Sequence, residues 1–370
     1  MRLLIPGPVS THPDVRAAAA VDYAPWDDDF RDVVERIRAR VLRAAGGRPG
    51  EHVALVLQGC GHFALEAACR TFVPEGGRIL LPKTGQYADR LERLATEIGR
   101  VVVPLEVPGD RPVDPAALAE ALDADGSIKH VALIYSETST GVVHDVPALA
   151  AAAGSQGRRV IVDAVSAFGA LPFDINALPM VDSVGFTTNK CLEGLPGASV
   201  TVARVDRLEA CAGQARSWSL DLSELHDHNR RSPGTFRFTP AAGAIVAFDV
   251  ALALFEAEGG QAARLARYAE NMRALIEGVQ ALGLQPYLAR ESQGPIVVNV
   301  HAPTDPAWDL IRFVNLLKRR EIVISNFYNT PAPSFRVGCI GAITPEDMRD
   351  SVGAIGEVLL EMGVRNRAAA

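Results

Sequence analysis

Among the 37 Lys and Arg residues of this chain only four are lysine, and one of them, Lys190, stands where an amine can do chemistry. It follows the apolar alternation of residues 181–186, which predicts a strand. Thr187-Thr188-Asn189 precede it, and Gly194, Pro196 and Gly197 follow. A lysine at a strand's carboxyl edge, held among small and turn-forming residues, suits a Schiff base with an aldehyde cofactor; the other reading is a solvated loop lysine. One strand earlier, Asp163 closes the run 159–162. A carboxylate there can accept a bond from a protonated pyridine nitrogen and keep that ring cationic, hence an electron sink for the carbanion left when a substrate loses a proton. Asp is also a favoured N-cap. The two residues lie one strand–helix–strand step apart, so both face the sheet edge at which open α/β sheets bind ligands.

Four further windows carry chemistry-bearing residues. Gln58-Gly59-Cys60-Gly61-His62 joins a strand to a helix, so its glycines allow close backbone approach and the helix end offers free N–H groups to a phosphate; it reads equally as a tight turn. Tyr87 opens the helix after the next strand, where an aromatic ring can stack on a flat heterocycle or simply pack. Ser136-Glu137-Thr138-Ser139-Thr140-Gly141 follows another strand, its hydroxyls suited to a phenolate or phosphate oxygen, or to a polar turn. Arg336 sits in the apolar strand Ser334-Phe335-Arg336-Val337-Gly338 and needs a partner, either an internal Asp or Glu or a substrate carboxylate or phosphonate. The runs Asp27-Asp28-Asp29 and His226-Asp227-His228 lack the supporting ligands of a metal site and read as caps, turn contacts or a subunit contact.

Elements must position these side chains. Strands are expected at 53–57, 78–81, 101–106, 130–135, 159–162, 181–186 and 198–203, with helices at 63–72, 87–98, 115–122 and 146–153 between them. Such alternation predicts a mainly parallel, seven-stranded α/β sheet with helices on both faces. After about residue 240 the pattern changes to helices at 242–257, 262–282, 308–319 and 345–362 and strands at 296–301, 322–327 and 334–337, a smaller α+β domain. A net charge of −7 and a pI near 5.7 give no footprint for nucleic acid. No apolar run suits a membrane span, the N-terminal stretch breaks at Pro6-Gly7-Pro8 before a signal core forms, and five scattered cysteines indicate neither disulfide framework nor zinc site. The expected setting is cytoplasmic and reducing.

Together these motifs resemble the class V aminotransferases, pyridoxal-phosphate enzymes of fold type I. The likeness runs in order from Pro6-Gly7-Pro8 and Trp26-Asp27-Asp28-Asp29 through Gln58-Gly59-x-Gly61, Ser136-Glu137-Thr138-x-Thr140-Gly141, Val162-Asp163-Ala164-x-Ser166 and Asn189-Lys190. It continues with Ser219-Leu220-Asp221-Leu222, Arg237-Phe238-Thr239 and Phe335-Arg336-Val337-Gly338. The Trp-Asp-Asp-Asp and Ser-Leu-Asp-Leu segments point to the 2-aminoethylphosphonate-using branch, with pyruvate as acceptor; alanine– or serine–glyoxylate transfer is the alternative. A cysteine desulfurase is disfavoured because Asn189, not His, precedes the lysine, and a non-catalytic DNA-binding regulator because no basic module is present.

The resemblance implies that Lys190 carries the cofactor and shuttles the proton, Asp163 holds the pyridine nitrogen, and Tyr87 or Val165 packs on the ring. It implies phosphate contacts from Cys60, Gly61 and His62, a phenolic-side contact from Thr138, and a reach by Thr239 to the cofactor of a second subunit. Arg336 and Gly7 are expected to face substrate. It further implies a homodimer, an N-terminal segment (1–15) near the active site, a large cofactor-binding domain (16–258) and a small domain (259–370). Two departures stand out: Cys60 and His62 replace serines usual in that branch, and Pro240-Ala241-Ala242-Gly243 replaces its usual Pro-Thr-His stretch after Thr239.

Overall fold

The computed structural model describes residues 1–369. Seven strands form one sheet in the spatial order His52–Gln58, Ala198–Arg204, Val181–Thr187, Arg159–Asp163, His130–Ile134, Arg78–Lys83 and Val101–Glu106. Six run in one direction; Ala198–Arg204 is antiparallel to both its neighbours. All seven expected strands are present. His130–Ile134 and Val181–Thr187 are buried along their whole length; the first reads as a nearly unbroken apolar run, whereas the second keeps an alternation because Asp182 and Ser183 are buried with it.

Helices Gly61–Phe72 and Gln86–Glu97 cover one face, with Leu65, Phe72, Leu91 and Leu94 packed on Leu55, Leu81 and Ile134. The other face carries Asp28–Ala44, Pro115–Ala124, Val146–Ser155 and Ala242–Glu258, through residues such as Ile37, Leu118, Leu149 and Phe248. Four helices have no counterpart among the expected ones: the short Pro13–Ala18 and Val205–Ala210, and the longer Asp28–Ala44 and Leu222–Arg231. Asp28–Ala44 buries Phe30, Val33, Val34, Ile37 and Val41 at helical spacing. The acidic run forms its start: Asp27 is the N-cap residue, without a side-chain cap bond, and Asp28 and Asp29 lie in the positive first turn. Leu222–Arg231 starts at Asp221, whose Oδ1 accepts from the Ser223 and Glu224 amides at 2.8 and 3.2 Å. His226 and His228 ride on that helix, His226 buried and His228 Nε2 2.8 Å from Thr235 Oγ1.

Beyond the sheet, strands Val297–His301 and Ser334–Gly338 pair antiparallel with Asn299 opposite Arg336. Helices Gly260–Ala281, Leu310–Arg319 and Pro345–Met362 close a second core around Leu275, Val300, Phe313, Phe335 and Leu359. The strand expected over 322–327 is only Ile322–Val323. Its parallel partner is the two-residue strand Arg2–Leu3, so the ladder ends there and the chain turns inward at Ile324 and Ser325. Residues 1–10 are stitched to this unit: the Gly338 amide donates to Leu4 O at 2.8 Å and the Ala342 amide to Ser10 O at 2.7 Å. Between those two ties Pro6-Gly7-Pro8 crosses toward Lys190.

Candidate active site

Asp163 is the last residue of its strand and pairs with Gly185 of the next; Lys190 lies just past Thr187, where that next strand ends. Both therefore reach the same carboxyl edge. Lys190 Nζ donates to Pro6 O at 2.7 Å. Gly7 (φ 140°) makes this approach possible, because a Cβ there would stand 2.5 Å from Nζ. Burial among protein atoms depresses the Lys190 pKa to about 8; the Arg336 charge pushes the same way, while Asp163 and Cys191 oppose it.

Asp163 Oδ1 accepts from the Val165 amide at 2.8 Å. Among the described residues Oδ2 takes no hydrogen bond. Burial pushes this carboxyl up to about 7, the neighbouring Glu137 adds to the rise, and the Val165 amide and Lys190 resist it. A cationic N–H set against Oδ2 would reverse that shift. The sign has a measurable consequence. In cofactor-free protein the folded state holds a proton on Asp163 that the unfolded chain has released between pH 3.8 and about 7. This carboxyl therefore removes stability as pH rises through that window. Asp163→Asn is expected to gain melting temperature over the parent progressively from pH 4 to pH 7; a difference independent of pH would show that Asp163 titrates normally.

Arg336 is 4% exposed, yet no carboxylate lies within ion-pairing distance among the described residues. Its partners are neutral: Nη1 donates to Thr138 O at 2.6 Å, and Nε and Nη2 donate to Ser325 Oγ at 3.2 and 3.1 Å. The internal ion pair, one of two readings of the sequence, is absent. Asn299, opposite Arg336, donates to Ser139 O and Thr140 O at 3.1 and 2.8 Å, which ties this strand to the 136–141 turn. In that turn Glu137 is a buried carboxylate satisfied without a cation, by the Ser139 amide and hydroxyl, the Tyr87 amide and Thr84 Oγ1. Burial raises its pKa against those donors.

The model of the family described as aminotransferase class-V matches residues 22–326. The chain belongs to the class-V aminotransferase family. It is 40% identical over 367 residues to 2-aminoethylphosphonate–pyruvate transaminase 2 of Burkholderia lata, across 99% of this chain and 97% of that one. It is 39% identical over 362 residues to the 2-aminoethylphosphonate–pyruvate transaminase of Pseudomonas aeruginosa strain PAO1, across 98% and 97%. Among solved structures, pyridoxamine-pyruvate aminotransferase from Mesorhizobium loti superposes with a TM-score of 0.89 at 24% identity, covering 99% of this chain and 93% of that one. The subgroup IV aspartate aminotransferase from Thermus thermophilus gives 0.84 at 27%, covering 98% and 100%. The architecture is that of fold type I aminotransferases.

In this class-V aminotransferase Gly61 opens the helix after the first sheet strand, with exposed Cys60 at the N-cap making no side-chain cap bond. A Cβ on Gly61 would stand 2.5 Å from Val165 Cγ2, so that helix end and Val165 are neighbours. His62 is exposed and lines a cavity of about 470 Å³ with Arg70 and Arg90. Arg90 lies over the Tyr87 ring, 5.1 Å from its centroid. Thr138 is buried, with its carbonyl on Arg336. Thr239 is exposed in the segment whose Phe238 carbonyl accepts from Gln58 Nε2 at 3.4 Å, and it contacts none of the Lys190–Asp163 cluster by hydrogen bond within this chain. Two participants were not singled out in the sequence. Glu137 was quoted only as part of a motif, and Ser325 was absorbed into an expected strand; its signal was a lone hydroxyl in an apolar run.

Proposed function

We propose that this aminotransferase moves the amine of 2-aminoethylphosphonate to pyruvate, giving phosphonoacetaldehyde and L-alanine, with pyridoxal 5′-phosphate as cofactor. The observation that carries this reading is Arg336, a buried cation that no carboxylate among the described residues neutralises, facing the same edge as Lys190 and Asp163. Full-length likeness to relatives named for this reaction supports it.

The residues fit the cofactor on their own chemistry. Asp163 is buried and its Oδ2 takes no donor among the described residues, which suits a pyridine N–H, and the free amides at the start of Gly61–Phe72, with Cys60 and His62 beside them, suit a phosphate. Tyr87 and Val165 are the candidates to flank the ring, Thr138 to meet its phenolic side. When bound, pyridoxal phosphate supplies an aldehyde that exchanges amines and a cationic ring that accepts an electron pair. Lys190 Nζ, with a pKa near 8, keeps a substantial neutral fraction at physiological pH. It takes the proton from the donor's amine-bearing carbon and later returns one to the carbon that becomes Cα of alanine. Arg336 fixes the anionic end of each substrate so that this carbon meets Nζ. Gly7 packs against the amine, and the neighbouring Pro6 carbonyl accepts from it.

The assay is enzyme with 2-aminoethylphosphonate and pyruvate, followed for alanine. Transfer only from alanine or serine to glyoxylate would reject the assignment.

We further infer a homodimer working in the cytoplasm. Trp26, Trp218 and Phe63 are large and exposed, and Arg237 buries Nε and Nη1 without a partner among the described residues, beside the exposed Thr239. A second copy laid there would cover the rings and bring Thr239 to the other subunit's cofactor. Light scattering of the holoenzyme is expected to give twice the chain mass; a single-chain mass would reject the shared site. No helix among the described residues is long and apolar enough to cross a membrane.

A further inference from the structure

Arg336 has five N–H groups. Nε and one hydrogen of Nη2 go to Ser325 Oγ, and one hydrogen of Nη1 goes to Thr138 O. One N–H therefore remains on each terminal nitrogen. Ser325 Oγ accepts both of its bonds from the guanidinium, and its own proton meets no acceptor among the described residues. Three donors thus remain without an acceptor among the described residues: one N–H on Nη1, one on Nη2, and the hydroxyl of Ser325, whose Oγ lies 3.1 Å from Nη2. A carboxylate has two oxygens to offer them and a phosphonate has three.

We infer that Ser325 is a specificity-determining residue, whose hydroxyl donates to the third oxygen of a phosphonate held on Arg336. The inference rests on the reading of Arg336 as the substrate's anion grip. The local chain is built to hold Ser325 there. Its ladder ends at Val323, so Ile324 and Ser325 turn into the core, at 3% and 6% exposure. The far side of the loop is tied by Thr330 Oγ1, which bonds Ala332 O at 2.8 Å and shares a bond with Ser334 Oγ, and by Trp308 Nε1 on Tyr328 Oη at 3.1 Å. Between these ties the Phe327 ring lies over the guanidinium, 5.7 Å from Cζ. Phe327 is 53% exposed while Arg336 is 4% exposed, so the ring screens one face of the cation from water. Phe327 acts on any anion alike; only the Ser325 hydroxyl counts oxygens.

A merely structural Ser325 would orient Arg336 for every anion equally, and the test separates the two roles. Methylphosphonate and acetate are titrated into the holoenzyme by calorimetry, and kcat/KM is measured for 2-aminoethylphosphonate and for pyruvate. In Ser325→Ala, phosphonate binding and 2-aminoethylphosphonate kcat/KM are expected to fall by about 10-fold or more, the loss of one charge-assisted hydrogen bond, while acetate and pyruvate change by less than about 3-fold. Ser325→Thr, which keeps the hydroxyl, is expected to restore the preference. Phe327→Ala is expected to weaken both anions by a similar factor. Equal losses for the two anions in Ser325→Ala, or no loss at all, would overturn the inference. A parent enzyme that binds methylphosphonate no better than acetate would do the same. Absence of 2-aminoethylphosphonate turnover by the parent enzyme instead rejects the proposed reaction, and the calorimetric ratio still reports on Ser325.

Discussion

Lys190→Ala is expected to fold, to bind pyridoxal phosphate weakly, and to transfer no measurable amine. The substitution removes the only amine at the carboxyl edge of the central strands, and nothing among the described residues replaces it: Lys83 is engaged with Asp89 and Glu92. Loss of a positioned general base alone lowers a rate by about 10²–10⁴-fold, and loss of covalent capture adds to that. The fold should survive, because Lys190 Nζ makes a single protein hydrogen bond, to Pro6 O, and removing a buried amine with a depressed pKa relieves a desolvation cost. The informative readout is the visible absorbance of purified protein. The parent should show a cofactor band that changes when an amine is added, and the variant should show neither. Retention of an amine-responsive band by Lys190→Ala would mean that another residue holds the cofactor. Added methylamine restoring part of the turnover would show that the missing group is the amine and not the packing around it.

Arg336→Ala is expected to lower kcat/KM for both substrates by about 100-fold or more, the scale for truncating one member of a buried, hydrogen-bonded charge pair. The loss should fall mainly on KM, because the guanidinium holds the substrate through ground state and transition state alike. Cofactor absorbance should be unchanged. Arg336→Lys should recover little, since an ammonium cannot span two oxygens while also meeting Ser325 and Thr138. Unchanged KM values in Arg336→Ala would move the anion grip elsewhere, with Arg90 over Tyr87 the next cation to examine.

Lys190 and Asp163 were legible because their signal is local. Each is a polar residue closing an apolar run, and strand direction alone puts both at one edge. The inner strands were legible because they are buried on both faces, whereas the half-exposed edge strand Val101–Glu106 showed only through its run of three valines. The helix Asp28–Ala44 was missed although its spacing is regular, because charged residues dominate its composition; its acidic start was read as caps, turn contacts or a subunit contact, and Asp27 is the N-cap residue. Arg336 was visible as an arginine in an apolar strand, but the choice between internal ion pair and substrate grip depended on which side chains arrive from far away. The Ser325 hydroxyl and the Phe327 ring come from the loop 11 and 9 positions earlier, and the Thr138 main-chain carbonyl comes from 198 positions away. The short strand at Ile322–Val323 was misjudged because its length is set by Arg2–Leu3, at the opposite end of the chain. Glu137 was hidden for a related reason: its donors come from its own turn and from Thr84 and Tyr87.

The crossing of Pro6-Gly7-Pro8 over Lys190 bears on how the enzyme is made. Residues 2–4 find their docking place only on Ile322–Val323 and Gly338, more than 300 positions later in the chain. Contacts this distant along the chain close late. A nascent chain can complete its large sheet and still have an open lysine, which Pro6-Gly7-Pro8 covers only when residues 2–4 meet 322–338. Unpairing residues 2–4 from that far segment would consequently loosen the Pro6 carbonyl from Lys190 while leaving the lysine itself unchanged.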